Sequence, residues 1–138
     1  MANAVYPVAK KHFMDQDIDM LVDDIVVLLT DTEEYTYSAT HEALDEVTAS
    51  ARITVGGASP ILTSPTTTAG VYDAADITLS AVTGDQFEAI ILYQSASTEA
   101  TSYLICYIDT NVSGLPLTPN GGNVTITWDN GANKIFAL

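Results

Sequence analysis

Closely spaced aspartates near the N-terminus are the first residues of this chain that could do chemistry. The aspartates of residues 15–19 alternate with other residues, an arrangement that can place hard oxygen ligands around one calcium ion. The EF-hand pattern fails, because Met20 occupies the position of the sharp-turn glycine and Val26 that of the bidentate glutamate. We therefore interpret the acidic cluster at residues 15–24 as a solvated entry to a strand and predict no metal site, with weak cation binding left open.

Two histidines and one cysteine are the other candidates for acid–base or nucleophilic chemistry. His12 and His41 lack the spacing of a metal-binding pair, and each lies on a predicted short helix beside charged residues, where exposure is the default. Cys106 is the only cysteine and lies inside an apolar run, so we predict a small buried hydrophobe. No serine stands in a Gly-x-Ser-x-Gly elbow. We predict no catalytic or cofactor-binding residue, no cofactor and no enzymatic activity.

The charge balance argues against several classes of partner. Acidic residues number 18 and basic residues 4, which gives a formal net charge of −14. Such a surface repels nucleic acid, whose binding requires lysine and arginine to neutralise phosphates, and it repels anionic membranes too. The longest apolar run, at residues 25–29, is far shorter than the ~20 residues of a membrane span. We expect neither a nucleic-acid partner nor a membrane partner.

The apolar content is high for an acidic protein, at 47% of residues against 16% charged. A chain of 138 residues can bury one core, so we predict a single domain over residues 1–138. The apolar excess predicts that part of the surface is covered by other copies of the chain or by a larger assembly.

Two short helices are predicted in the first third of the chain. The first covers residues 6–15, with Pro7 in its first turn, and it must dock because so short a helix is unstable alone. The second is a helix of about two turns at residues 40–47, capped by Thr40. Between them, the apolar residues within 18–30 predict a central strand.

Short strands dominate the rest of the pattern. Residues 77–81 and 87–93 predict one hairpin. Apolar residues alternate with threonines at 124–128, and the turn at Asn130-Gly131 predicts a second hairpin with residues 135–138. With about seven to eight strands and two short helices, we predict an all-β fold, an antiparallel β-sandwich or flattened, jelly-roll-like barrel.

Six stretches of this sequence carry a resemblance to known proteins. They are Met1-Ala-Asn-Ala-Val-Tyr, Asp31-Thr-x-x-Tyr-Thr-Tyr-Ser-Ala-x-His-Glu-x-Leu-Asp-Glu-Val47, Gly70-Val-Tyr-Asp-Ala-Ala-Asp-Ile-Thr-Leu79, Gly114-Leu-Pro, Thr118-Pro-Asn-Gly-Gly and Trp128-Asp-Asn-Gly-Ala-Asn-Lys-Ile-Phe136. Together they span nearly the whole chain, and they resemble a family of small structural proteins of tailed bacteriophages. Members of that family are described as head decoration, minor tail or fibre-associated proteins. The resemblance implies a structural role in the virion and brings no catalytic residue.

Resemblance and composition together give the leading hypothesis, a capsid cement or decoration protein. It is expected to bind the major capsid protein on the outer surface of the head, to bridge capsomers and to self-associate as a homotrimer after synthesis in the host bacterial cytoplasm. The only positive cluster, Lys10 and Lys11 beside Phe13, is predicted to contact the capsid. Tyr103 and Tyr107, with Ile105 on the same strand, are predicted to form the subunit interface.

Two alternatives stay open. One is a minor tail or fibre-associated protein that binds a tail protein and contacts host surface glycan through Tyr35, Tyr37 or the loop at residues 111–120. The more remote one is an acidic glycan-active enzyme, which needs two carboxylates ~5 to 9.5 Å apart across a cleft. The sequence does not distinguish a location on the head from one on the tail.

Overall fold

The computed structural model describes residues 3–110 and 112–138. Residues 1–2 of the predicted domain and Asn111 of the predicted 111–120 loop lie outside this part. The described chain is mostly β, with antiparallel sheets and one α-helix. Its elements are β1 (Ala4–Val5), α1 (Pro7–Met14), β2 (Ile25–Thr30), β3 (Thr54–Val55), β4 (Val71–Tyr72), β5 (Ile77–Leu79), β6 (Val82–Thr83), β7 (Ala89–Gln94), β8 (Leu104–Ile108), β9 (Val124–Ile126) and β10 (Phe136–Ala137). Single 3-10 turns lie at Leu44–Glu46, Ala49–Ala51, Thr68–Gly70 and Glu99–Thr101.

The helix predicted over residues 6–15 is confirmed as α1. Pro7 occupies its first turn, where a missing N–H breaks no helical hydrogen bond. Tyr6 enters the helix in an extended conformation, and its N–H donates to the carbonyl of Ile105, 2.9 Å away, on β8. Ala9 and His12 are the buried residues of α1. The helix therefore gains its stability by docking on the sheet, as its shortness requires.

A four-stranded antiparallel sheet in the order β1, β8, β7, β2 organises the core. Side chains of β7 and β8 are buried on both faces of the sheet, which explains why these strands are almost continuously apolar. One face, carrying Ile90 and Leu92, packs on the larger apolar cluster. The other, carrying Ile91 and Tyr107, packs on a smaller cluster that includes Tyr6.

The apolar segment predicted as a central strand is shorter than expected and lies at the end of the sheet. It forms β2 alone, which pairs with β7. Its outer edge is nevertheless paired, because Val27 donates its N–H to the carbonyl of Pro60 (2.9 Å) and Ile53 donates to that of Leu29 (3.0 Å). Irregular backbone thus covers the edge that a strand would otherwise cover, which protects β2 from pairing with another chain.

Both predicted hairpins are wrong, because their strands pair with other strands. β5 pairs with β9 rather than with β7, and β10 pairs with β4 rather than with β9. The strand β7 is buried on both faces and takes the equally apolar β2 and β8 as neighbours. The strands β5 and β9 each have one buried and one exposed face. The hydroxyls of Thr78 and Thr125 lie 3.0 Å apart on the exposed face.

The helix predicted at residues 40–47 is wrong, because only one 3-10 turn forms there, at Leu44–Glu46. The N–H of Leu44 donates to the carbonyl of Ser102, and the N–H of Leu104 donates to that of Glu42, each at 2.9 Å. These two bonds hold the segment extended against the start of β8. Hydrogen bonds between segments distant in the sequence therefore override the local preference for a helix.

The described strands form one four-stranded sheet and three two-stranded ladders, β10 with β4, β3 with β6 and β5 with β9. Ten strands are thus described, more than the seven to eight predicted, and no closed barrel forms among them. In the described ranges, every helix is too short to cross a lipid bilayer.

Candidate functional site

An apolar groove of about 200 Å³ lies beside the C-terminal end of α1. Its lining residues are Phe13, Met20, Thr67, Gly70, Tyr72, Phe136 and Leu138. The rings of Phe13 and Phe136 stack with centroids 6.4 Å apart, and Tyr72 lies 5.3 Å from Phe136 on the same measure. Three aromatic rings thus provide much of the groove's apolar surface. We call these lining residues, together with Met14, Leu21 and Val22, the Phe13 face.

Four large apolar side chains are exposed in the described part of the chain; Leu138 lines the groove, and the other three follow groove residues in the sequence. Met14 is 80% exposed, Val22 77%, Leu138 66% and Leu21 52%. Met14 directly follows Phe13 of the groove, and Leu21 and Val22 directly follow Met20. Exposed apolar side chains that lie together mark an interaction surface, so we take the groove and the segments that adjoin it in the chain as the candidate surface.

The acidic cluster helps to build this face. The carboxylate of Asp19 accepts a hydrogen bond from the N–H of Leu21 (2.9 Å), and that of Asp23 accepts one from the N–H of Asp19 (2.7 Å). The two side chains thereby fold the turn that presents Leu21 and Val22. Within residues 3–110 and 112–138, no three histidine, cysteine or acidic side chains are grouped so that they could hold a metal ion.

The end of the chain supplies the other wall of the groove. The N–H of Leu138 donates to the carbonyl of Gly70, 3.0 Å away, and β10 pairs with β4. Gly70 has a φ of +78°, a conformation that side chains with a Cβ rarely adopt. The turn before β4 therefore depends on this glycine, and it brings Leu138 to the rim of the groove.

The residues predicted to contact the capsid, Lys10, Lys11 and Phe13, all lie on α1 but have different surroundings. Phe13 lines the groove, but Lys11 forms an exposed i,i+4 ion pair with Asp15. Lys10 lines a separate cavity together with Lys134. The face around Phe13 is consequently apolar rather than basic.

The residues predicted to form a subunit interface belong largely to the chain's own core. Ile105 is fully buried, and Tyr107 is 5% exposed. Tyr103 is half-buried beneath α1, with its ring stacked on the imidazole of His12. In this arrangement Ile105 offers no surface to a second copy.

The two histidines are more buried than predicted. His12 is 4% exposed, and its Nδ1 and Nε2 lie 2.8 Å from carboxylate oxygens of Asp17 and Glu42, respectively. His41 is half-buried, and its Nδ1 lies 2.8 Å from the hydroxyl of Tyr35. Both imidazoles therefore join segments of the fold. The sequence pattern did not predict these contacts, because the partners of the two histidines are either distant in the chain or part of a loop.

A second cavity, of about 460 Å³, lies at the end of the sheet where β7 begins and β8 ends. We call it the tyrosine cleft; its lining includes Tyr35, Tyr37, Glu88, Tyr107, Asp109 and residues 115–116. It brings together Tyr35, Tyr37 and part of the 111–120 loop, the three elements that the glycan-binding alternative named. Glu88, Tyr107 and Asp109 were not among the predicted site residues, because only the pairing of β7 with β8 places them side by side.

Hydrogen bonds and burial fix the tyrosines behind the cleft. The hydroxyls of Tyr6 and Tyr35 lie 2.9 Å apart, and Tyr35 also reaches His41. Burial, followed by this hydrogen bond, raises the pKa of Tyr6 far above its ordinary value, and burial raises the pKa of Tyr35 to about 12. Both phenols are therefore neutral hydrogen-bonding groups at physiological pH.

Comparison with known proteins adds no relative. No protein-family model and no curated protein sequence matches this chain. The expectation of a phage structural role therefore rests on the sequence motifs and on the surfaces described above.

Proposed function

We propose that this protein is a non-catalytic structural component of a tailed-bacteriophage virion. In this proposal it coats the outer surface of the head as a cement or decoration protein and binds the major capsid protein there. It is made in the host bacterial cytoplasm and has no nucleic-acid or membrane partner. The four-stranded sheet and the smaller ladders together would form a flattened, jelly-roll-like sandwich, and its copies would associate as trimers.

The observation that carries the proposal is the Phe13 face. Met14 and Val22 expose most of their side chains to water in the segments that contribute Phe13 and Met20 to an apolar groove, although the chain as a whole is strongly acidic. Covering such a face with a partner removes apolar area from water and stabilises a complex. The acidic remainder keeps the free protein soluble and disfavours a place in the DNA-lined interior of a head.

A cement protein acts through the interfaces that it adds. Each copy that contacts two neighbouring capsomers contributes binding free energy that must be overcome before those capsomers separate. Packaged DNA presses outward on the shell, so added interfaces at the outer surface oppose that pressure. This activity requires binding and no chemical step.

Reconstitution tests the proposal. Purified protein is mixed with expanded heads that lack it, and the particles are sedimented and imaged. We expect saturable binding in many copies over the outer surface. Heads that sediment without the protein, at concentrations well above those of an ordinary assembly reaction, would overturn the cement assignment.

A place on the tail is the second candidate. The grouping of Tyr35, Tyr37 and residues 115–116 in one cleft supports a surface protein that contacts a further ligand. Copy number separates the two candidates, since a decoration protein covers the whole head and a tail protein occurs in few copies. Quantitative staining of purified particles, with the major capsid protein as internal standard, distinguishes them.

A further inference from the structure

The tyrosine cleft is the second feature of the structure that has the properties of a binding site. It combines aromatic rings from Tyr37 and Tyr107 with the carboxylates of Glu88 and Asp109 in one cavity. None of the described residues that line it is a lysine or an arginine. Carboxylates beside aromatic rings are groups that recognise a positively charged ligand.

The aromatic part of the cleft is held in place before any ligand arrives. The ring of Tyr37 lies between those of Tyr6 and Tyr107, with centroid distances of 4.9 Å and 5.6 Å. Tyr6 is fully buried, whereas Tyr37 is half-exposed at the cleft. A ring fixed on its inner side and open on its outer side costs little conformational entropy when it binds a ligand.

The acidic part of the cleft is oriented as well. Oε2 of Glu88 accepts hydrogen bonds from the N–H of Thr32 (3.0 Å) and from its hydroxyl (3.2 Å). These bonds fix the plane of the carboxylate. The other oxygen, Oε1, remains available to a donor in the cleft.

The described residues that carry charge in the lining of the cleft are acidic. Burial, and then the negative charges of Asp109 and Glu88, raise the pKa of Tyr107. Glu88 also lines a neighbouring cavity of about 340 Å³, whose other acidic residues are Asp31, Glu33, Glu34 and Asp85. The field of this cluster attracts cations to the cleft and repels anionic sugars or phosphates.

We propose that the tyrosine cleft binds a cationic side chain of a partner protein, with an arginine as the preferred occupant. A guanidinium group is planar, so it can stack on the ring of Tyr37 while its N–H groups donate to the carboxylate of Glu88. A cleft of about 460 Å³ has room for this side chain and its backbone. The site is distinct from the Phe13 face, and it holds whether the protein is located on the head or on the tail.

Binding of a short arginine-containing peptide to the isotopically labelled full chain tests the proposal. The matched probe carries citrulline in place of arginine, which keeps the shape of the side chain and removes its charge. We expect the arginine peptide to shift the amide resonances of Tyr37, Glu88 and Tyr107, and the citrulline peptide to bind at least about fivefold more weakly.

Two charge-neutralising variants separate a site from general attraction to an acidic surface. Glu88→Gln keeps an oxygen that can accept from Thr32, so the fold is retained, and it should weaken the arginine peptide about fivefold. Asp45→Asn removes one exposed charge outside the cleft and should change the affinity by less than about twofold.

Three outcomes would overturn the proposal. Equal binding of the arginine and citrulline peptides shows that charge is not recognised. Equal weakening by the two variants shows diffuse attraction to the acidic surface. Binding of a neutral oligosaccharide at these residues, without binding of the arginine peptide, assigns the cleft to glycan instead.

Discussion

The imidazole ring of His12 lies flat against the phenol ring of Tyr103, with centroids 3.6 Å apart and planes inclined by 13°. Nδ1 of His12 lies 2.8 Å from a carboxylate oxygen of Asp17, and Nε2 lies 2.8 Å from a carboxylate oxygen of Glu42. Both ring nitrogens are therefore within hydrogen-bonding distance of a carboxylate. One side chain thus ties α1 to the loop after it, to the segment before the Leu44–Glu46 turn and to the edge of β8.

Replacement of His12 should therefore destabilise the protein more than an exposed substitution on the same helix. His12→Ala removes the ring stack and both contacts between the imidazole nitrogens and the carboxylates, and we expect the free energy of unfolding to fall by about 1 to 3 kcal/mol. His12→Phe keeps a ring against Tyr103 and should lie between the alanine variant and the wild type. Urea denaturation followed by circular dichroism measures these changes.

The control for this prediction is Lys11→Ala. Lys11 forms an exposed ion pair with Asp15, and such pairs contribute little, so the change should stay within about 0.5 kcal/mol. If His12→Ala is as mild as the control, α1 does not depend on His12 for docking.

The alkaline limit of stability should follow the buried tyrosines. Burial raises the pKa of Tyr35 and of Tyr72 to about 12, whereas an unfolded phenol ionises near pH ~10. Because the folded pKa is the higher one, the stabilisation is complete below pH ~10 and is lost as the pH rises toward 12. We expect part of the tyrosinate absorbance to appear only with unfolding in that range. Reversible ionisation of all 7 tyrosines near pH ~10, with the fold intact, would contradict this expectation.

Arg52 is expected to act as a clamp on the turn at Leu44–Glu46. Its Nη2 donates to the carbonyls of Leu44 (2.7 Å) and Val47 (2.6 Å) and to the carboxylate of Glu99 (2.8 Å). Arg52→Lys keeps the charge but loses the forked geometry, so we expect a loss of about 1 to 2 kcal/mol in thermal or urea denaturation.

The ion pair between Arg52 and Glu99 should contribute little to stability. The hydrogen bond and charge of Arg52 lower the pKa of Glu99, but this side chain is exposed to solvent. Glu99→Gln should therefore cost far less than Arg52→Lys. Equal losses for the two variants would show that the ion pair, and not the bonds to the carbonyls, holds the turn.

Cys106 should not react with thiol reagents in the native protein. It is 1% exposed on β8, and burial raises the pKa of its thiol. Since the thiolate is the reactive form, a thiol reagent should label one cysteine per chain in denaturant and almost none in native buffer. Rapid, complete labelling of the folded protein would place β8 at an exposed edge.

Local patterns in the sequence predicted which residues face the core better than they predicted which strands pair. Val124, Ile126 and Trp128 are buried while the threonines between them are exposed, as their alternation indicates. A period of two defines the two faces of a strand but carries no information about its neighbour. The partners of β5 and β10 therefore depended on tertiary packing that the sequence pattern does not contain.

The candidate surfaces were only partly predictable for the same reason. Phe13 was singled out because of its neighbours in the chain, and it does line the apolar groove. Apart from Met20, the other groove residues come from residues 67–72 and 136–138, more than 50 positions from Phe13 in the sequence. Glu88 and Asp109 become neighbours of Tyr37 only because β7 and β8 pair in register.

The most direct test of the central proposal compares head binding by the wild type and by a variant of the Phe13 face. The double substitution Met14→Gln with Val22→Thr changes two exposed side chains and should leave the fold intact, which circular dichroism checks. As a matched control, Val112→Thr changes a half-buried valine that does not line the groove.

We predict that the wild type and the control bind expanded heads that lack the protein with affinities within about twofold of each other, and that the double variant binds at least about tenfold more weakly. Undiminished binding by the folded double variant would contradict the assignment of the Phe13 face as the surface that joins this protein to the capsid.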